Sequence, residues 1–321
     1  MKTTSLQFNA YQNTTKTEVL ESQLEPLKQL IQTPNLTELM VNPDGSVWTE
    51  RAGRLVKTSI KLNTQLRLSV IRELAGFYDL VCNRDSPTLA CRLPVFEAGR
   101  VQAVIPPIST GPMLSIRFPS RSKLALKHLI KYGSLTKEQA EELKSYVRSK
   151  KNILISGGTG SGKTTLANAL LDIIKDERIV VIEDTPEISL RNENTLYWQT
   201  TPAFTSRDAV LTSLRVRPDR IILGEIRHGG DAQEWCKAAL TGHPGSLATT
   251  HADSAAGARQ RIRSLIQEVV VSPSDDLIDS AIDVSVFVSK RVEPATKKII
   301  RKVEEIRLSK NFQTTLKERV A

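Results

Sequence analysis

The stretch Asn152–Leu170, NILISGGTGSGKTTLANAL, constrains the fold of this chain more than any other. A short apolar run, Ile153-Leu154-Ile155, enters a glycine-rich turn. There Gly157, Gly162, Lys163 and Thr164 satisfy G-x-x-x-x-G-K-[ST], and a helix-forming segment follows. Strand, loop and helix in this order are the context in which such a turn binds phosphate. The glycines let backbone N–H groups curl around an anion, and the helix N-terminus adds partial positive charge. The pattern assigns nucleotide contact to Gly158, Thr159, Gly160, Ser161, Gly162, Lys163, Thr164 and Thr165. Lys163 is expected to reach the β- and γ-phosphates of ATP, and the Thr164 hydroxyl to bind Mg2+. The competing reading, a glycine-rich turn without a ligand, is weakened by the flanking strand and helix.

A phosphate loop alone does not separate a kinase from a motor, so the residues behind it matter. From Asn152 onward, strands expected at Ile179–Ile182, Ile221–Leu223 and Leu247–Thr250 alternate with helical segments. That alternation predicts a parallel α/β sheet with phosphates at the strand C-terminal ends. IVVIEDTPEI ends its apolar run on Glu183 and Asp184, and RIILGEIR ends on Gly224-Glu225. A carboxylate at such a tip can hold Mg2+ through water or activate the attacking water. Capping of a strand end is the bland alternative for each. In TGHPGSLATTHADSA, His243 and His251 flank a strand. Their spacing does not suit zinc ligation on a helix; a polar group at the strand tip beside the loop can instead sense the γ-phosphate. Val284–Val288 and Lys298–Val303, joined by a turn at Glu293-Pro294, are expected to close the sheet as an antiparallel pair.

The N-terminal third mixes periods. Leu20, Leu24, Leu27 and Ile31 form a helical stripe, and Leu66–Leu80 predicts a second helix. Leu39–Val41 and Val47-Trp48 flank Asn42-Pro43-Asp44-Gly45 as strand, turn and strand. Pro94–Phe96, Val101–Ile105 and Leu114–Arg117 are expected as further short strands. Pro119-Ser120 marks the division: an N-terminal α+β domain over 1–120 and a second domain over 121–321. The second opens with a basic linker and helix over 121–150, and its phosphate loop lies at 157–165. In that helix Thr136–Gln139 is a capping box, and Ala140, Leu143 and Val147 line one face.

The net charge of +10 leaves nucleic acid, anionic lipid and acidic proteins open as partners. Ten Lys or Arg against three Glu lie between Arg117 and Lys151, with no aromatic alternation, which argues against stacking on single-stranded nucleic acid. No apolar run reaches membrane-spanning length, and the start lacks the apolar core of a signal peptide, so a cytoplasmic location is expected. Cys82, Cys91 and Cys236 are odd in number, form no C-x-x-C pair and are expected as reduced thiols.

Together, IVVIEDTPEI, RIILGEIR and TGHPGSLATTHADSA resemble the aspartate box, Walker B and histidine box of the secretion or traffic ATPases. LRVRPDRIILGEIR and ELMVNPDGSVW are most similar to the conjugal-transfer branch, over about Glu38 to Ser289. The resemblance implies an α/β fold, a RecA-like P-loop NTPase domain preceded by a smaller α+β domain. It implies a hexameric ring that hydrolyses Mg2+-ATP, peripheral at the inner membrane among other type IV secretion components. Glu225 then matches the water activator, Glu183 an acid assisting at the metal, and His243 and His251 the histidine-box positions. Arg100 and Arg117 match arginines that approach the phosphates, and Arg215 and Arg217 an arginine-rich element near the site. Gly224 stands where many phosphate-loop ATPases carry Asp, which shifts metal duties to Thr164 and Glu183. The alternatives are a DNA-translocating, helicase-like ATPase and a scaffold that binds nucleotide without turnover. The basic cluster further suggests reversible contact with anionic membrane.

Overall fold

The computed structural model describes residues 3–51, 54–96, 99–118, 124–201, 203–271, 275–294 and 299–309, with backbone only for 3–14 and 275. The chain divides into two compact units, 1–121 and 122–321. The proposed junction at Pro119-Ser120, with Arg121 and Lys123 of the basic stretch, lies outside the described residues, as does Lys298.

Unit 1 contains α1 (Thr3–Ile31), β1 (Leu36–Val41), β2 (Ser46–Arg51), β3 (Arg54–Lys61), α2 (Thr64–Phe77), β4 (Thr88–Arg92), β5 (Arg100–Val104) and β6 (Met113–Arg117). Its sheet has the order β3-β2-β1-β6-β5-β4, with every neighbouring pair antiparallel. The stripe Leu20, Leu24, Leu27 and Ile31 is buried with Ile71 and Leu74 of α2 over the inward side chains of the strands. Strands β3 and β4 were not anticipated: β3 is an edge whose Leu55 and Val56 are both exposed, so no alternation announces it. Pro94–Phe96, expected as a strand, is instead the turn between β4 and β5. Pro94 lacks a ladder donor, and Phe96 takes a φ of 53°.

Unit 2 runs α3 (Leu126–Lys131), α4 (Lys137–Arg148), β7 (Ile153–Ser156), α5 (Lys163–Leu171), β8 (Ile179–Glu183), β9 (Thr195–Gln199), α6 (Ser206–Ser213), β10 (Arg220–Leu223), α7 (Gly229–Leu240), β11 (Leu247–Thr250), α8 (Ala255–Gln267), α9 (Asp275–Ala281), β12 (Val284–Val292) and β13 (Ile299–Leu308). The sheet order is β13-β12-β7-β11-β10-β8-β9. All neighbours are parallel except the β12–β13 hairpin. Successive strand residues feed opposite faces: Ile153 and Ile155 pack with α4 and α5, whereas Leu154 packs with α7 and α8. The capping box of α4 forms, Thr136 Oγ accepting from Gln139 N at 3.1 Å and Gln139 Oε1 from Thr136 N at 2.9 Å.

Asn152 fixes the start of the central strands. Its buried side chain accepts from the N–H groups of Gly245 and Ser246 at 2.9 and 3.0 Å and donates to the Ala239 carbonyl at 3.4 Å. Its own backbone N–H donates to Asp283 Oδ2 at 2.8 Å, so the entries of β7, β11 and β12 are tied together. Asn152→Ala leaves two buried donors unpaired and is expected to cost about 2–4 kcal/mol. Urea unfolding measures this; a loss below about 0.5 kcal/mol contradicts the assignment.

Candidate active site

Strand β7 stops at Ser156, opposite Thr250 of β11 and Phe287 of β12. The chain then turns so sharply that a Cβ on Gly157 would lie 2.2 Å from the Val288 carbonyl oxygen. The loop ends in α5, which begins at Lys163. Lys163 is buried, and its Nζ donates to the carbonyls of Gly157 and Gly158 at 2.9 and 3.2 Å. Thr164 and Thr165 occupy the first turn of α5 and are half-buried. Ser161 Oγ is buried in the loop without a hydrogen-bond partner among the described residues. Open space at Gly158 and this orphaned hydroxyl fit a loop shaped for a phosphate group.

From Lys163 a polar chain crosses three strand tips. Nζ stands 3.5 Å from Nδ1 of His251, which immediately follows β11. His251 Nε2 lies 2.9 Å from Glu225 Oε1 at the tip of β10. Lysine only donates, so a hydrogen bond from Nζ to Nδ1 requires the proton on Nε2, the atom that faces Glu225. The other oxygen of Glu225 accepts from Arg227 Nη2 at 2.7 Å, and Arg227 Nη1 also pairs with Asp184. Arg227 was not singled out from sequence, although its place two residues after Glu225 in RIILGEIR is the available signal.

Glu183 ends β8 just after Ile182, which pairs with Leu223 of β10 and accepts from the N–H of Gly224, the residue that follows that strand. A Cβ on Gly224 would meet Glu183 Cγ at 2.7 Å. The Glu183 side chain thus occupies the space into which an Asp at 224 would project, which gives the departure at 224 a steric reason. Its carboxyl group accepts from the N–H groups of Glu187 and Ile188 at 3.1 Å each. Burial pushes the Glu183 carboxyl up to about 8, with those backbone donors opposing.

Other candidates lie elsewhere. Strand β11 runs toward the loop, so His243, which precedes it, sits at the far edge of the sheet near Asn152 and does not join Lys163, His251 and Glu225. Arg215 and Arg217 precede β10 and lie at that same far edge. In a parallel sheet a residue before a strand cannot stand at its C-terminal tip; that signal was present in the sequence. In unit 1, Arg117 of β6 faces Arg100 of β5, which faces Arg92 of β4. Arg92 extends the expected pair to a row of three arginines, with Glu38 of β1 on the other side of Arg117.

The family model of type II/IV secretion system proteins matches residues 20–316. The chain belongs to this family. A conjugal transfer protein TrbB of Rhizobium radiobacter is 34% identical over 259 residues, covering 79% of this chain and 80% of that protein. The crystal structure of the VirB11 ATPase from the Brucella suis type IV secretion system, in complex with sulphate, is 28% identical. It covers 96% of this chain and 99% of its own, with a TM-score of 0.50. The pilus retraction motor PilT with bound ADP matches at a TM-score of 0.65 and 18% identity, over 94% of this chain and 88% of its own, a likeness of fold alone. The expected fold, a RecA-like α/β domain preceded by a smaller α+β domain, is that of these secretion ATPases.

Within this secretion-family fold, Glu183 makes stability depend on pH. The folded chain holds its proton more tightly than the unfolded chain, with a carboxyl at about 8 against an ordinary 4.5. The stabilisation is complete below about pH 4.5 and is lost as pH rises through about 8. In EDTA without nucleotide, the unfolding free energy of the wild type relative to Glu183→Gln should fall across that window, by at most about 1.4 kcal/mol per pH unit. Parallel pH profiles would contradict this.

Proposed function

We propose that this chain hydrolyses Mg2+-ATP and, as a ring, supplies mechanical work to a conjugative type IV secretion machine at the cytoplasmic face of the inner membrane. The observation that carries the reading is the continuous chain Lys163–His251–Glu225 at the tips of adjacent parallel strands. A scaffold that only binds nucleotide has no need of a carboxylate oriented by both a histidine and an arginine.

The residues divide the work. Lys163 exchanges its loop carbonyls for the β- and γ-phosphates, and the loop N–H groups from Gly158 to Thr165 hold the anion. Glu225 orients and deprotonates water for in-line attack on the γ-phosphorus, and the bond to the β-phosphate oxygen breaks. His251, touching both Lys163 and Glu225, couples occupancy of the loop to the position of the base. Among the described residues no three His, Cys, Asp or Glu cluster to hold a metal by themselves. Thr164 and Glu183 are the residues that would hold Mg2+ beside the nucleotide phosphates. Mg2+ supplies charge neutralisation on the phosphate oxygens.

Arg100 and Arg117 are proposed as phosphate-binding cations, because a planar guanidinium fork suits phosphate oxygens. Release of such a contact after hydrolysis converts chemistry into rigid-body motion, and in a closed ring that motion is passed to the next subunit. The relatives named for conjugal transfer and type IV secretion support the setting. No helix among the described residues is long and apolar enough to cross a membrane, so attachment is assigned to anionic lipid or to membrane components of the machine. That surface is smaller than its sequence suggests, because Lys144, Lys150 and Lys151 pair with Glu141, Glu177 and Asp283.

Steady-state turnover tests the reading. Lys163→Ala is expected to lower ATP hydrolysis about 100-fold or more while the melting temperature stays near that of the wild type. Light-scattering mass with Mg2+-ATP should report a ring of about six chains. Turnover of Lys163→Ala near the wild-type rate would overturn the assignment.

A further inference from the structure

Strand β12 lies parallel to β7 in the register Val284↔Ile153 to Phe287↔Ser156. Strand β7 ends at Ser156, yet β12 continues to Val292. Its last residues therefore pass alongside the phosphate loop. On this extension Lys290 is directly opposite Arg301 of β13. Residues so paired project from the same face of a ladder, and here that face meets the loop. Arg301 Nε donates to the Gly160 carbonyl at 2.9 Å. A Cβ built on Gly160 would lie 3.3 Å from Lys290 Nζ, and one on Gly162 would lie 3.5 Å from Arg301 Cδ.

Two like charges opposite each other on a ladder repel, and nearby carboxylates do not relieve them. Glu304 accepts from Ser289 Oγ at 2.7 Å and pairs with Arg291 at 3.4 Å. Glu305 accepts from the Ala255 N–H at 3.1 Å. Among the described residues, Lys290 makes no hydrogen bond or ion pair. Both side chains are exposed. With Lys163 they bring three cations to one short loop, and the group that relieves their repulsion is an anion in that loop.

We propose that Lys290 and Arg301 are phosphate-binding residues, a second cation set that contacts the polyphosphate of the bound nucleotide from the β12–β13 hairpin. This rests on the reading of the loop as an ATP site. Arg301 holds the Gly160 carbonyl in the free protein and turns its Nη groups to phosphate oxygens in the bound one. Lys290 gains its only partner when the nucleotide enters. The pair also gives the hairpin a contact that depends on occupancy of the loop.

The test is the affinity of the full-length protein for a fluorescent ADP, and the rise in melting temperature produced by Mg2+-pyrophosphate. Lys290→Gln and Arg301→Gln should each weaken ADP binding about tenfold and reduce the pyrophosphate effect. Lys290→Arg should bind within about threefold of the wild type. The melting temperature of the free Lys290→Gln variant should be unchanged or higher, since a repulsion is removed. Lys302→Gln, which removes the same charge one position along β13 from Arg301, should leave affinity unchanged. Binding within about twofold of the wild type by both Gln variants at 290 and 301, or equal weakening by Lys302→Gln, would overturn the inference. If the wild type binds no ADP, the ATP-site reading itself fails.

Discussion

The chemistry of this chain depends on the parallel strands β7, β8, β10 and β11 ending within about two residues of one another. Ser156 of β7 is in register with Thr250 of β11 and Phe287 of β12, and Leu223 of β10 with Ile182 of β8 and Ala248 of β11. That alignment brings residues far apart in sequence, Lys163, His251, Glu225 and Glu183, to one edge. It also crowds the backbone, so a side chain is excluded at Gly157 by the Val288 carbonyl and at Gly224 by Glu183. The opposite edge is held by Asn152, whose hydrogen bonds fix where the central strands begin. Stability and chemistry thus occupy opposite ends of the same sheet.

What was legible in the sequence was local. The phosphate loop carries its chemistry in eight consecutive residues, and the capping box of α4 needs only four. Strands β7, β8, β10 and β11 are buried on both faces; the first three appear as runs of three or four apolar residues, and β11 as Leu-Ala closed by two threonines. The edge strands β3 and β9 escaped because a half-solvated strand has no such run: β3 exposes most of its length, and β9 is nowhere fully buried. The helix expected at Leu66–Leu80 forms but stops at Phe77.

At the site, the limits were topological. His251 and His243 look equivalent as letters, yet strand direction puts only His251 beside Lys163. Arg227 matters because it touches carboxylates from two strands, Asp184 and Glu225, a convergence that spacing within one motif cannot show. Arg92 joins Arg100 and Arg117 only through the register of β4 on β5. Lys290 and Arg301 lie more than a hundred residues after the loop, and the overhang of β12 beyond β7 is what brings them to it.

The account rests on Glu225 as the group that activates water, held ready by His251 and Arg227. The most direct measurement is the chemical state of nucleotide retained by Glu225→Gln after incubation with radiolabelled ATP and Mg2+. The account predicts that this variant, which keeps the shape of the side chain but loses its charge, binds ATP and releases it on denaturation still as the triphosphate, whereas the wild type yields ADP. Recovery of ADP from Glu225→Gln at the wild-type rate would contradict it.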